Sequence, residues 1–345
     1  MTDYIIVGCG LAGIAFAETA LAAGKSVIVF DDHSHQSSVV AAGVYNPVIL
    51  KRFSALQHAK EQLDLLDTFY KRLESRLGVC VNHPMPILRR FFSVEEQNNW
   101  FAASDKAGLS AFLSTDLVKT KYPNVRSPFD FGQVRRTGYV DTTLLILQYK
   151  RYLESIEAYR AESFDYAALV CDPTSVRYHS LSARHIVFAE GFGIRQNPYF
   201  GELPLNGTKG EVLVIRAPML RIDAILKGNV FVLPLGSDRF KIGATYNWDD
   251  KTTLITREAR AELQQKLSEL LDCEYEIVDQ QAGIRPTVKD RKALLGTHKE
   301  WNRLHLLNGL GTRGVMLGPY CAQILFDHIE RAAPIPPALD IARFG

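Results

Sequence analysis

Apolar residues fall in short unbroken runs near both ends of the chain and in alternating or helically spaced sets between them. Residues 4–7 and 26–30 are apolar runs of the kind that parallel strands, buried on both faces, require. Residues 11–23 between them are rich in Ala and Leu, good helix formers, and Gly24 stands where a helix ends. An ordinary nucleotide-binding unit would continue with a helix and a third strand, but residues 34–47 read as a loop of small residues. Apolar positions 63, 66, 70, 73 and 77 share one face of a helix over 56–77. Residues 80–138 mix short strand-like runs with Pro and Gly turns. Further helices are expected over 141–155, 257–271 and 319–331, the last with Pro319 in its first turn. Strands are expected at 185–189, ending at Gly191, and at 305–308. Residues 211–216, 230–235 and 240–245 predict antiparallel strands, the last two joined across Gly236-Ser237-Asp238, a hairpin signal. The αβ-type segments lie at the start, middle and end of the chain, and the β-rich segments between them. That order predicts two domains built from non-contiguous pieces: 1–78, 139–208 and 280–345 for an α/β unit, and 79–138 and 209–279 for a β-rich one.

Composition narrows the class. The chain has 345 residues, 47% of them hydrophobic, enough for a large core. Its 40 basic and 38 acidic side chains leave a net charge of only +2, which creates no field to recruit nucleic acid or an anionic membrane. The basic pairs Lys51-Arg52, Arg89-Arg90 and Arg135-Arg136 are scattered and read as solvated surface. Five cysteines at 9, 80, 171, 273 and 321 form no C-x-x-C, so neither a disulfide framework nor a zinc site is expected. His33 and His35 lie close together but lack partners at ligand spacing, and no metal is expected. The chain opens in a strand after three residues, so no secretory leader is expected, and no apolar run is long enough to span a bilayer. A cytoplasmic protein is the expectation.

Gly8-Cys9-Gly10-Leu11-Ala12-Gly13 is a G-x-G-x-x-G that follows a strand and opens a helix. Gly8 permits the tight turn, Gly10 has no side chain to block a pyrophosphate, and Gly13 lets helix and strand pack. The helix N-terminus offers unpaired N–H groups to phosphates. Asp31 closes the second strand, where a carboxylate can bind both ribose hydroxyls. Asp32 competes for that role, but the apolar run ends at Phe30. With no arginine nearby, a 2′-phosphate is not expected. A purely structural glycine turn would not explain the acid.

These residues do not separate NAD from FAD, but three further segments do. They are Ser37-Ser38-Val39-Val40-Ala41-Ala42-Gly43, Val187-Phe188-Ala189-Glu190-Gly191 and Asn308-Gly309-Leu310-Gly311-Thr312-Arg313-Gly314-Val315. With the opening motif, they make the chain resemble the D-amino-acid oxidase (DAO) family of flavoproteins, which includes glycine oxidase, sarcosine oxidase and the oxidase half of the tRNA enzyme that makes methylaminomethyl-uridine. The resemblance is weak in 80–138 and 209–279. It implies a Rossmann-like FAD-binding domain with a parallel sheet, and a substrate domain with a mixed or antiparallel sheet, as in glutathione-reductase-type folds. It also implies that Gly8, Gly10, Leu11, Ala12, Gly13, Asp31, Ser38, Ala41, Ala42, Gly43, Ala189, Glu190 and Gly191 bind the cofactor. Gly309, Gly311, Thr312, Arg313, Gly314 and Val315 would join them, with backbone N–H groups stabilising negative charge on the reduced ring. No cysteine lies in the segment 283–296, so noncovalent FAD is expected.

Gly283-Ile284-Arg285-Pro286 resembles the family's G-[IL]-R-P segment, whose arginine binds the substrate carboxylate in several amino-acid oxidases. A planar guanidinium suits that task; the alternative is an arginine paired with Asp290 or Asp279. Tyr246 ends a strand where the family's β-domain meets the flavin, so it either faces the substrate or packs at the interface. Tyr45, Asn46, Lys51 and Arg52 are weaker candidates. The implied reaction oxidises a C–N bond of a small amine or amino acid by hydride transfer to flavin N5, with O₂ or another acceptor completing the cycle. Two other readings stay open: a tRNA-modifying FAD oxidase, suggested by Gly311-Thr312-Arg313-Gly314, and a non-enzymatic dinucleotide-binding protein.

Overall fold

The computed structural model describes residues 1–34, 36–119 and 122–345; His35, one of the two loop histidines, lies outside them. The strand Thr2–Val7 sits inside a sheet with Val27–Phe30 on one side and Leu181–Phe188 on the other, both parallel to it. Tyr159–Arg160 extends one flank, and Leu304–Asn308 extends the other in parallel before closing on Leu294–Thr297. Tyr4, Ile5 and Ile6 are fully buried, which is why these strands read as unbroken apolar runs.

A second sheet of eight strands runs in the order Glu276–Arg285, Thr208–Arg216, Arg239–Gly243, Phe231–Gly236, Ile225–Lys227, Ile87–Arg90, Phe131–Val134 and Leu113–Val118. Every neighbouring pair is antiparallel except Ile225–Lys227 with Ile87–Arg90. The fold is therefore α/β with a parallel sheet and a mixed, mainly antiparallel one, as expected. The hairpin turns at Ser237 and Asp238, both with positive φ. The strand Glu276–Arg285 runs through the boundary expected at 279/280 and belongs wholly to the antiparallel sheet.

Helix Leu11–Ala22 buries Glu18 completely, where Arg72 and Arg76 of helix Ala59–Leu77 meet it at 3.0 and 2.9 Å. Three local expectations need correction. Residues 37–40 form a short helix inside the expected loop. Val94–Ser104 is a helix that periodicity alone does not reveal; Ser93 accepts from Glu96 N–H at 3.1 Å and Glu96 accepts from Phe92 N–H at 2.8 Å, a near relative of the capping box. The last helix starts at Gly314 rather than 319, so Pro319 lies inside it. Pro319 has no N–H for the carbonyl of Val315. The buried Tyr70 hydroxyl supplies the missing donor at 3.0 Å.

That bond is open to test. Tyr70→Phe leaves a buried carbonyl short of a partner and should destabilise the protein by about 1–3 kcal/mol. Equilibrium unfolding should show a smaller loss when the same change is made in a Pro319→Ala background, where the backbone N–H returns.

Candidate active site

A cavity of about 540 Å³ lies between the two sheets, within the range of about 300–1,000 Å³ typical of ligand pockets. At one end, Gly8 adopts φ +101°, and a Cβ there would lie 2.6 Å from Ala189 O. Asp31 Oδ1 accepts from Cys9 N–H at 3.1 Å. Its Oδ2 meets Lys150 Nζ at 2.5 Å and the Tyr159 hydroxyl at 3.3 Å. Asp32 turns instead to Ser34 and Ser163. Glu190, Phe164 and Tyr166 also line this end. Glu190 accepts from the Tyr166 hydroxyl and from Asn197 Nδ2, and burial pushes its carboxyl up to about 7.

The middle is built from backbone and small side chains. Gly10, Leu11 and Ala12 face Ser38, Ala41, Ala42 and Gly43. Ser38 Oγ accepts from Leu11 N–H at 3.2 Å. Across the cavity, Gly311, Thr312, Gly314 and Val315 open the last helix. Asn308 Nδ2 donates to Gly191 O at 2.9 Å, and Gly311 N–H to Pro286 O at 3.1 Å, which ties the tail turn to both neighbouring segments. Gly191 and Gly311 line the cavity, and a Cβ at either would have no protein atom within 4 Å. These open cradles, with two helix N-termini beside them, fit an extended dinucleotide whose charged middle is met by N–H groups.

Most of the expected cofactor residues thus come together. Three do not line the cavity. Gly13 serves packing, since a Cβ there would lie 1.8 Å from Gly8 O. Gly309 packs likewise, against Val288 and Leu294. Arg313 is the residue just before the last helix and is not part of the cavity lining. Tyr45 packs over Gly138, Asn46 caps its own turn through Val48 N–H, and Lys51 and Arg52 are exposed; none of these lines the cavity.

At the other end stands Arg285. Gly210 lies across from Gly283 on the neighbouring strand. A Cβ on Gly210 would fall 1.9–2.2 Å from the atoms of the Arg285 guanidinium, which occupies that space. Nη1 and Nη2 each lie 3.3 Å from Thr245 O, Nη1 lies 3.4 Å from Lys209 O, and the Tyr246 ring packs 4.4 Å from Cζ. Among the described residues no carboxylate pairs with it: Asp290 pairs with Arg343, and Asp279 accepts from Gln280 N–H and Gln281 Nε2. Neither acid of the ion-pair alternative meets the Arg285 guanidinium. Burial lowers the affinity of the guanidinium for its proton, yet an arginine stays charged in proteins.

Sequence reasoning missed several polar residues here. Lys241 is buried, and its Nζ lies 3.3 Å from Ala41 O, bracing the small-residue turn. Lys227, Asn229 and Lys266 line the far wall with Phe231. Each sits in or beside an ordinary-looking strand or helix, and only tertiary pairing brings Lys227, Asn229 and Lys266 to the cavity and Lys241 to the turn behind it. Among the described residues, no cysteine lines the cavity, no group of His, Cys, Asp and Glu could hold a metal ion, and no helix is long and apolar enough to cross a membrane.

Comparison with known proteins agrees with this geometry. The chain is 24% identical over 359 residues to a glycine oxidase of Bacillus licheniformis, covering 95% of this chain and 92% of that protein. It is 22% identical over 352 residues to a glycine oxidase of Bacillus subtilis (strain 168), with the same coverage. Among solved structures, glycine oxidase from Geobacillus kaustophilus superposes with a TM-score of 0.79 at 21% identity, covering 100% of this chain and 98% of that one. L-Proline dehydrogenase from P. horikoshii gives 0.78 at 14% identity, covering 99% and 97%. Residues 3–328 match the family described as FAD dependent oxidoreductase, DAO. A match of that extent, over both sheets and the cavity between them, shows that the chain belongs to the DAO family and is an FAD-dependent oxidoreductase.

Proposed function

We propose that the protein oxidises the C–N bond of a small amine or amino acid, with Arg285 binding the substrate carboxylate. The observation that carries this reading is the state of Arg285. Its guanidinium is half-buried at the cavity wall, held flat by two backbone carbonyls and the Tyr246 ring, and has no carboxylate partner among the described residues. A charged group desolvated without a counter-ion is costly, and a substrate carboxylate would offset that cost through two parallel charge-assisted bonds. FAD, when bound, supplies the hydride acceptor. Asp31 and Glu190 would meet its adenosine end, and the N-termini at Leu11 and Gly314 its central part. The chain's own task at the reacting end is positional. Arg285 fixes one end of the substrate, so that its α C–H is presented in a single orientation. Tyr246, which lines the cavity and stacks on Arg285 while staying largely exposed, would cover the bound substrate.

Anaerobic mixing of the holoenzyme with amines and amino acids should bleach the flavin band for substrates that carry a carboxylate next to the amine. If amines without a carboxylate bleach it equally well, the clamp reading is wrong. Arg285→Ala should lower kcat/KM by at least about 10–150-fold, the effect of losing one of the two charge-assisted bonds, while flavin content stays that of the wild type. Gly210→Ala provides an independent check, because its new methyl needs the space that the guanidinium fills. The arginine tip can swing aside, so the variant should fold and keep its flavin but lose kcat/KM as Arg285→Ala does. Wild-type turnover in Gly210→Ala would show that the observed placement of Arg285 is not the working one.

A further inference from the structure

The antiparallel sheet carries a row of directly opposed residues away from the Arg285 strand. Gln281 faces Val212, Val212 faces Gly243, Gly243 faces Phe231, Phe231 faces Lys227, and Lys227 faces Arg89. Opposed residues point to the same side of a sheet, and Val212, Phe231 and Lys227 all line the cavity. Strands lie about 4.8 Å apart, so Lys227, two strands beyond the Thr245 carbonyl that holds Arg285, stands on the order of 10–15 Å from the guanidinium. The two cations thus occupy the same face at opposite sides of the substrate end.

The charges around Lys227 do not balance. Arg89 is paired with Glu96 at 2.6 Å, and Lys266 with Glu262 at 2.5 Å. Glu269 accepts from Asn229 at 2.5 Å. Lys227 has no hydrogen-bond or ion-pair partner among the described residues; its Nζ lies over the Phe231 ring, 6.0 Å from the centroid. Burial, with Arg89 and Lys266 close by, lowers its ammonium to about 8. The acids on this wall are taken, and one cation is left facing the cavity.

We propose that Lys227 receives a second anionic group of the substrate, a carboxylate or a phosphate, at the end remote from the C–N bond that is oxidised. This deepens the function proposed above and rests on Arg285 holding the other end. The substrate class is then an amino acid extended by a chain that ends in an anion.

The test uses the flavin-loaded protein. Succinate, glutarate, adipate, pimelate and suberate are titrated against the visible flavin band, alongside monocarboxylates of the same lengths and the matching ω-phosphonocarboxylates. The best dianion should bind at least about 10-fold more tightly than its monocarboxylate counterpart, the effect of one added charge-assisted bond. The chain length that wins reports the span, and the phosphonate series separates a phosphate site from a carboxylate site. In Lys227→Met that preference should collapse towards unity, and Lys227→Arg should restore it; flavin content and thermal midpoint verify that both variants fold. The proposal is overturned if the wild type shows no dianion preference at any length, or if Lys227→Met retains it. Arg285→Ala judges the other reading separately, because it should weaken monocarboxylates and dianions alike. Unchanged monocarboxylate binding there would remove the clamp while leaving the Lys227 comparison intact.

Discussion

The cofactor site depends on one contact, the parallel packing of the first and last helices. A Cβ on Gly314 would lie 2.8 Å from Leu11 Cδ1, and one on Gly318 would lie 3.4 Å from Ala15 Cβ. Glycines four residues apart therefore let Leu11–Ala22 and Gly314–Arg331 approach along a single ridge. Because the pairs run 11 with 314 and 15 with 318, the two N-termini end side by side at the cavity. Two positive helix ends brought together repel. An anion between them reverses the sign of that interaction, so the fold is most favourable when a phosphate-bearing or electron-rich group fills the gap. The Tyr70 bond to Val315 O belongs to the same arrangement, since it keeps the last helix intact through Pro319 as far as Gly314.

What was legible in the sequence is what is local. Gly8–Gly13, residues 37–43 and the tail glycines are contiguous segments whose small side chains state their purpose without knowledge of partners. The start of the last helix was misplaced because Pro319 is an ordinary N-terminal signal, and its use inside this helix depends on a tyrosine 249 positions away in sequence. The helix Val94–Ser104 lies in a stretch that reads as strand-like runs and turns, and the capping pair Ser93 and Glu96 is the one local signal that could have marked it. Lys150, Lys241 and Lys227 carried no signal at all. Each matters through a register or a packing contact that no local pattern encodes, such as the opposition of Lys227 and Phe231 across a strand pair.

Arg285 shows how the two kinds of information meet. The motif around it named the residue, but its availability rests on Gly210, on a strand that pairs with it 75 positions earlier in the chain. A glycine inside a strand weakens the strand and marks a close approach. Here the approaching group is the guanidinium itself. Its neighbour Lys209 is handled in the opposite way: its buried ammonium is fully engaged by Asp250 at 2.6 Å, with Glu211 at 3.7 Å and the carbonyl of Leu254 also close. Adjacent residues of one strand thus hold a satisfied cation on one face and make room for an unsatisfied one on the other. The alternation of a strand places both within reach of the same carbonyl-rich edge without mixing their roles.

The cavity is also graded in charge along its length. Asp31, Asp32, Glu162 and Glu190 line the end near the first strands, and Arg285, Lys227 and Lys266 line the other. A net charge of +2 over 345 residues hides this separation entirely. Any anion entering such a cavity is drawn to one end and repelled from the other. The same gradient disfavours the reversed orientation of an extended cofactor, whose ribose hydroxyls need acceptors rather than cations. Because the two ends are built on different sheets, their relative charge is fixed by how the sheets dock. The short helix Ser37–Val40 lies in that seam, with Ser37 Cα 3.1 Å from where a Cβ on Gly283 would stand. A side chain at position 283, two residues before Arg285, would press on that seam, so the close docking of the two halves of the site depends on a glycine there.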